Sequence, residues 1–122
     1  MKTTYGKITQ AIEALGKLSK LDIKVSEAVR VSRLISAVDC EMKTFNEVRL
    51  KICEKYGKSG ESGMYEFSEE NGKKFSKEVS ELLETEVELS CDEVKICSPI
   101  TIDAASVISL SGFVDFKEEN DG

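Results

Sequence analysis

The stretch from Ser26 to Tyr56, SEAVRVSRLISAVDCEMKTFNEVRLKICEKY, contains neither glycine nor proline and repeats its apolar residues at helical steps. This spacing places the apolar side chains in one stripe along a helix. The stripe consists of Val31, Leu34, Ile35, Val38, Met42, Phe45, Val48, Ile52 and Tyr56. At about 1.5 Å per residue, such a helix is roughly 46 Å long. In a chain of 122 residues, we expect the other segments to cover only part of the stripe, so that the remainder contacts another protein or a second copy.

The remaining segments predict an α+β fold that is mostly α-helical. Apolar residues at helical spacing predict a first helix that ends at Leu18 and a shorter helix over residues 73–85. The shorter helix is expected to pack antiparallel on the long helix as a helical hairpin. Alternating residues at 87–89 and 94–96 predict a small β-hairpin. Asp103 is a good N-cap for a short C-terminal helix that follows it.

The long helix has a predicted signal at each end. We expect Ser26 to be its N-cap and Gly57 to end it as a C′ glycine. Residues 58–72 are rich in glycine, serine and glutamate, which predicts a loop. Within this loop, Tyr65 and Phe67 predict a short strand or a flap. We expect the two aromatic residues to attach the loop to the helices, and contact with a ligand or a partner is the alternative.

Length and composition predict a single domain over residues 1–117, followed by a mobile acidic tail at 118–122. An apolar content of 40% together with a charged content of 33% is typical of a folded chain rather than a disordered one. No apolar run approaches the roughly 18 residues of a membrane span. Residues 1–7 lack the apolar block of a signal peptide. We therefore expect a cytoplasmic location and no membrane partner.

The net charge of the chain is −6. Acidic proteins are repelled by phosphates, so we expect no direct binding of nucleic acid. Solubility is the simplest explanation of this charge. A mimic of nucleic acid that occupies a basic groove on a host enzyme is the alternative hypothesis.

The four cysteines are Cys40, Cys53, Cys91 and Cys97. The first two are 13 residues apart on one helix, about 20 Å, and cannot form a disulfide with each other. The C-x5-C spacing of the other two matches no common zinc motif, and the chain contains no histidine. We expect free, mostly buried thiols and no metal or cofactor, with one zinc on all four cysteines as the less favoured alternative.

The sequence shows no catalytic motif. Without histidine, a general acid or base would have to be a carboxylate, lysine, tyrosine or cysteine. The glycines at 57, 60 and 63 follow no strand signal and precede no lysine-serine pair, unlike a phosphate-binding loop. The paired glutamates 69–70 and 118–119 are explained by solvated charge. We therefore expect a protein that is not an enzyme.

Several short segments occur in a characteristic order along the whole chain. They are FNEVRL at 45–50, KYG at 55–57, Phe75, ELLETEV at 81–87 and ISLSGFVDF at 108–116. In this order the chain resembles a family of small proteins, without an assigned activity, encoded by tailed phages and prophages of Gram-positive bacteria. The resemblance implies an α-hairpin with small β elements. It also implies an accessory role in a bacterial cytoplasm or in virion assembly.

Two functional hypotheses follow from these observations. The first is a non-enzymatic phage or prophage accessory protein that binds a host component, for example by inhibiting a defence system or sequestering its small signalling molecule. The second is a structural or assembly factor of the phage particle, in the tail, neck or packaging apparatus. Both predict a partner protein, and the incompletely covered stripe predicts a homo-oligomer. The candidate interaction surface consists of Val31, Leu34, Val38, Met42, Phe45, Tyr65 and Phe67.

Overall fold

A computed structural model describes residues 1–60 and 64–117 of the chain. Its helices are α1 (Tyr5–Leu18), α2 (Val25–Tyr56), α3 (Glu69–Glu84) and α4 (Ala104–Ser109). Its strands are β1 (Lys2–Thr4), β2 (Lys58–Ser59), β3 (Tyr65–Glu66), β4 (Glu86–Glu88), β5 (Val94–Ile96) and β6 (Val114–Phe116). The described part is therefore mostly helical with small strand pairs, as predicted for the α+β class.

The predicted long helix is present as α2, but its start differs from the prediction. Lys24, rather than Ser26, is the N-cap residue, and its side chain forms no capping hydrogen bond. The Lys24 amide instead donates to the Ser98 hydroxyl at 3.1 Å. A residue far along the chain therefore stabilises the start of the helix, which local capping rules cannot predict.

The end of α2 lies at Tyr56, just before Gly57, as predicted. Gly57 has an extended backbone (φ −102°, ψ 163°), so the left-handed C′ conformation expected of it is wrong. The need for a glycine at this position is steric instead. A Cβ atom at this position would lie 2.9 Å from both the Cys53 carbonyl oxygen and Cε1 of Phe67. Gly57 thus permits β3 and the residue after it to pack closely against the end of α2.

The other helices begin at residues with capping side chains. Helix α3 begins at Glu69, four residues before the predicted start, because the Ser68 hydroxyl accepts a hydrogen bond from the Asn71 amide at 3.2 Å. Helix α4 begins after Asp103, as predicted, and the Asp103 carboxylate accepts from the Ser106 amide at 3.1 Å. Local capping rules therefore explain both starts.

The predicted β-hairpin between residues 87–89 and 94–96 is wrong. Strand β4 pairs antiparallel with β1, with Val87 opposite Thr3. Strand β5 pairs in parallel with β6, with Lys95 opposite Asp115. Alternating residues predict a strand but do not determine its partner, and here the two ends of the described chain supply the partners.

The hydrophobic core lies between α1, the first half of α2, the β1–β4 and β5–β6 pairs and the segment around α4. The largest side chains with less than 2% exposure are Ile8, Leu18, Leu34, Val38, Ile96, Leu110 and Phe113. They come from α1, α2, β5 and the segment between α4 and β6. The first half of α2 is therefore covered within a single subunit.

The second half of α2 extends beyond this core and pairs with α3. Among the described residues, none between Phe45 and Leu82 belongs to the core cluster or packs against it. At the far end, the Asn71 side chain donates to the Tyr56 carbonyl at 3.1 Å, whereas Leu83 packs against the core. The two helices therefore run antiparallel. We call residues 46–60 and 64–81 the arm, and the remaining described residues the body.

None of the helices in the described ranges combines the length and apolarity needed to cross a membrane. The acidic tail expected at 118–122 lies outside the described residues, as do residues 61–63 of the expected flap. The rest of the expected loop is replaced by the two-residue strands β2 and β3, which pair antiparallel, and by the first turn of α3.

Candidate functional site

Four of the seven residues of the candidate interaction surface lie in the core. Val31, Leu34, Val38 and Phe45 are at most 6% exposed. Helix α1 and strand β5 both contact α2, and they cover this part of the stripe within the subunit. The prediction that these four residues form a binding surface is therefore wrong, because a partner could reach them only if the core opened.

The other three predicted residues, Met42, Tyr65 and Phe67, are half-buried. Tyr65 and Phe67 belong to the arm, and Met42 lies one turn before it. The Phe67 and Phe75 rings have centroids 4.5 Å apart, which attaches the segment after β3 to α3. Of these three residues, Tyr65 and Phe67 thus lie on the arm, whereas Met42 packs against the core of the body.

The contact between the two arm helices is only partly closed. No residue of α3 is buried. On the α2 side of the arm Cys53 is buried, and the half-buried apolar residues of the arm are Ile52, Tyr56, Tyr65, Phe67, Phe75 and Val79. Two helices without a third element cover only one face of each other, so the flanks of their apolar contact remain open to solvent.

The arm also carries apolar side chains that are exposed outright. Leu50 is 47% exposed and Met64 is 72% exposed. Single exposed apolar residues are normal on protein surfaces. On the arm, however, they accompany a partly open apolar contact, and this combination is typical of a protein-binding surface.

A polar cluster fixes the far end of the arm. The Glu78 carboxylate accepts from Lys55 Nζ at 3.1 Å and from the Tyr56 hydroxyl at 3.0 Å. The bond from Lys55 holds the pKa of Glu78 below its usual value, and Glu78 in turn raises the pKa of Lys55. Lys55 is exposed and Glu78 is half-buried, so solvent screens their ion pair, and the cluster sets the alignment of the two helices more than it stabilises them.

The base of the arm contains a buried tyrosine. The Tyr5 ring lies 5.3 Å from the Phe45 ring, and its hydroxyl donates to the Glu41 carboxylate at 2.9 Å. Burial, followed by the effect of Glu41, raises the pKa of Tyr5 to about 12. Tyr5 therefore stays protonated and joins α1 to the point where α2 leaves the core.

A second buried polar contact organises the start of α2. The Glu27 side chain is 4% exposed and accepts from the Cys97 amide at 2.6 Å and from the Ser98 hydroxyl. The bonds from the Cys97 amide and Ser98 lower the pKa of Glu27, although burial opposes them. Glu27 is therefore a carboxylate that attaches the segment after β5 to the first turn of α2.

This attachment creates one wall of a groove on the body, with a volume of about 880 Å³. One side of the groove is a single stripe of α2 with Arg30, Arg33, Ala37 and Cys40, and the other side is the segment 90–95. Of the described cavities, two smaller ones lie nearby on α2 and measure about 320 and 470 Å³. A further cleft of about 290 Å³, next to α4, is lined mainly by apolar residues.

The cysteines provide no site of their own. All four are free, with Cys53 buried, Cys91 and Cys97 half-buried and Cys40 exposed, so the expectation of mostly buried thiols is wrong for Cys40. Cys40 and Cys91 both line the groove, and burial raises the pKa of the Cys91 thiol. In the described ranges, no three cysteine, aspartate or glutamate side chains are placed to hold a metal ion.

The residues that line the groove are far apart in the sequence, so local patterns do not predict it. Arg30 and Arg33 are separated from Lys95 by more than 60 residues. They share a groove because β5 packs against α2, where Glu27 accepts a hydrogen bond from the Cys97 amide. A glutamate in the first turn of a helix has the ordinary role of complementing the helix dipole, so the sequence carried no signal for this attachment. Comparisons of the chain with models of protein families, with curated proteins and with solved structures gave no match.

Proposed function

We propose that the protein is a non-enzymatic accessory protein of a phage or prophage that binds a protein of its bacterial host through the arm. The single observation that carries this proposal is the partly open apolar contact between α2 and α3. It includes no buried residue of α3, although the body has a closed core.

The geometry of the arm favours a helical segment as the bound element. Two antiparallel helices leave an apolar groove along each flank of their contact, and an amphipathic helix of a partner can lie in such a groove. A third helix would also bury the half-exposed rings of Phe67 and Phe75. The exposed Leu50 and Met64 would add apolar contacts at the margin of the interface.

The apolar surface of the arm is also the surface through which two copies of the protein would associate as the expected homo-oligomer. The residues first assigned to self-association are mostly buried in the body. Two copies could still associate through their arms, because the arms would form a four-helix arrangement. A host partner and a second copy would then compete for one surface.

Affinity capture from a Gram-positive host lysate tests the proposal with matched variants. The arm variant carries Leu50→Glu and Met64→Glu, and the control variant carries Val25→Glu and Ile108→Glu on the body. All four positions are among the exposed apolar residues, so both variants should fold. We expect the wild-type protein and the control variant to retain one host protein in stoichiometric amount, and the arm variant to lose it.

Two outcomes would count against this function. Retention of the same host protein by the arm variant would show that the arm is not part of the interface. Several copies of the protein in purified phage particles, measured by mass spectrometry, would support an assembly factor instead.

A further inference from the structure

We propose that the groove between α2 and segment 90–95 binds a small phosphorylated molecule, whose phosphate is held by Arg30, Arg33 and Lys95. This site lies on the body and is independent of the arm. Its volume of about 880 Å³ falls within the range of roughly 300–1,000 Å³ that is typical of small-molecule sites.

All three cations, Arg30, Arg33 and Lys95, line the groove. Arg30 and Arg33 are three residues apart on α2, so their side chains lie on the same side of the helix. Glu27 holds Cys97 at the first turn of α2. Lys95, two residues before Cys97 on strand β5, therefore lies opposite the arginines rather than at the Cys40 end.

The cations are available to a ligand. Within residues 1–60 and 64–117, neither of the two arginines nor Lys95 forms an ion pair. Asp92 and Glu93 line the same groove, but neither carboxylate lies within ion-pair distance of Arg30, Arg33 or Lys95. Arginine is well suited to phosphate because its planar guanidinium donates two parallel hydrogen bonds.

The residues of the opposite wall indicate which chemical groups the ligand carries besides the phosphate. Asp92 and Glu93 also line the groove, further from Cys97 than Lys95 is. Carboxylates repel a second phosphate but accept hydrogen bonds from hydroxyl and amino groups. The hydroxyls of Ser32, Ser36 and Ser90 add further polar contacts. The groove therefore suits a phosphate ester of a sugar or nucleoside better than inorganic phosphate.

Isothermal titration calorimetry with four probes tests this assignment. The probes are AMP, ribose 5-phosphate, adenosine and inorganic phosphate. We expect AMP and ribose 5-phosphate to bind the wild-type protein, and adenosine and inorganic phosphate to bind at least about tenfold more weakly. Binding of AMP should weaken as the salt concentration rises, because the contacts are between charges near the surface.

Arginine variants assign the binding to the groove. Arg30→Ala combined with Arg33→Ala should weaken AMP binding by at least about tenfold. Arg49→Ala is the matched control, since Arg49 is the remaining arginine of the chain and lies exposed on the arm; it should leave the affinity unchanged. The double replacement by glutamine keeps long polar side chains and should give the same loss, with circular dichroism confirming that each variant is folded.

The assignment is overturned if neither AMP nor ribose 5-phosphate binds at millimolar concentration. It is also overturned if adenosine binds as tightly as AMP, or if the double variant keeps the wild-type affinity. None of these outcomes bears on the arm, because capture of a host protein is measured with different variants.

Discussion

Glu27 is a buried carboxylate that attaches the segment after β5 to α2 through hydrogen bonds from the Cys97 amide and the Ser98 hydroxyl. Glu27→Gln keeps the shape of the side chain but replaces a charged acceptor with an amide. Loss of a charge-assisted bond from a buried position should reduce the free energy of unfolding by about 1–3 kcal/mol at pH 7. Urea denaturation of both proteins measures this difference.

The effect of Glu27 should depend on pH. The hydrogen bonds lower the pKa of Glu27 in the folded state, so the folded protein favours the carboxylate more than the unfolded chain does. The resulting stabilisation is present above the unfolded pKa of about 4.3 and is lost as the pH falls through the folded pKa. The difference between wild-type protein and Glu27→Gln should therefore shrink below about pH 4. Glu47→Gln, at an exposed position of the same helix, should show little effect, and an equal loss in the two variants would contradict this role.

Alanine substitutions at two glycines should change the stability of the protein in opposite directions. Gly57→Ala places a Cβ atom 2.9 Å from Cys53 O and from the Phe67 ring, and this overpacking should destabilise the protein by about 1–3 kcal/mol. Gly16→Ala lies within α1 with nothing within 4 Å of the new Cβ. It should stabilise the protein by about 0.5–1 kcal/mol through helix propensity. Thermal unfolding of the two variants measures both, and stabilisation by Gly57→Ala would show that the contact between α2 and β3 is looser than described.

At the level of elements, the sequence predicted the helices well and the strand pairs poorly. The spacing of apolar residues identified α2 almost to the residue, and Asp103 identified the start of α4, because these signals are local. The partners of β4 and β5 depend on contacts between distant segments, and two- or three-residue strands carry no register information. The groove depends on the same distant contacts and is therefore not predictable from local patterns. Tyr65 and Phe67 are conspicuous as aromatic residues in a polar loop, and they lie on the arm, but their role in binding stays a prediction.

Truncation of an α2 side chain to alanine should destabilise the protein strongly in the body and weakly in the arm. Phe45→Ala removes a ring that is 6% exposed and packs against Tyr5, so it should reduce the free energy of unfolding by about 3–5 kcal/mol. Leu50→Ala removes a side chain on the exposed part of the arm and should change it by less than about 0.5 kcal/mol. Chemical denaturation measures both free energies of unfolding. A small effect of Phe45→Ala would show that Phe45 lies at the surface rather than in the core.

The two halves of α2 should also differ in dynamics. Residues 46–56 lie outside the core cluster, whereas residues 31–45 contribute Val31, Leu34, Val38 and Phe45 to it. Amide hydrogen exchange should therefore be faster in the arm part of α2 and in the first half of α3 than in the body part of α2. Equal protection along the whole of α2 would mean that the arm opens only with global unfolding, and it would contradict the division into arm and body.

At the scale of the whole molecule, the body and the arm differ in how completely they bury their apolar side chains. The body closes its own core, so the length of α2 alone does not require a partner, contrary to the simplest expectation from its stripe. In the arm, Val48 is exposed and Ile52 and Tyr56 are half-buried, so α3 covers this part of the stripe incompletely. Binding of a host protein is therefore proposed for the arm, and binding of a small phosphorylated molecule for the groove on the body.

The most direct test of a binding role for the arm is site-specific photocrosslinking in host cells. A photoreactive phenylalanine analogue is placed at position 50 on the arm or at position 25 on the body, where the natural residues Leu50 and Val25 are 47% and 80% exposed. We expect a covalent adduct with one host protein from position 50 and none from position 25. No adduct from position 50, or the same adduct from both positions, would contradict a binding surface on the arm.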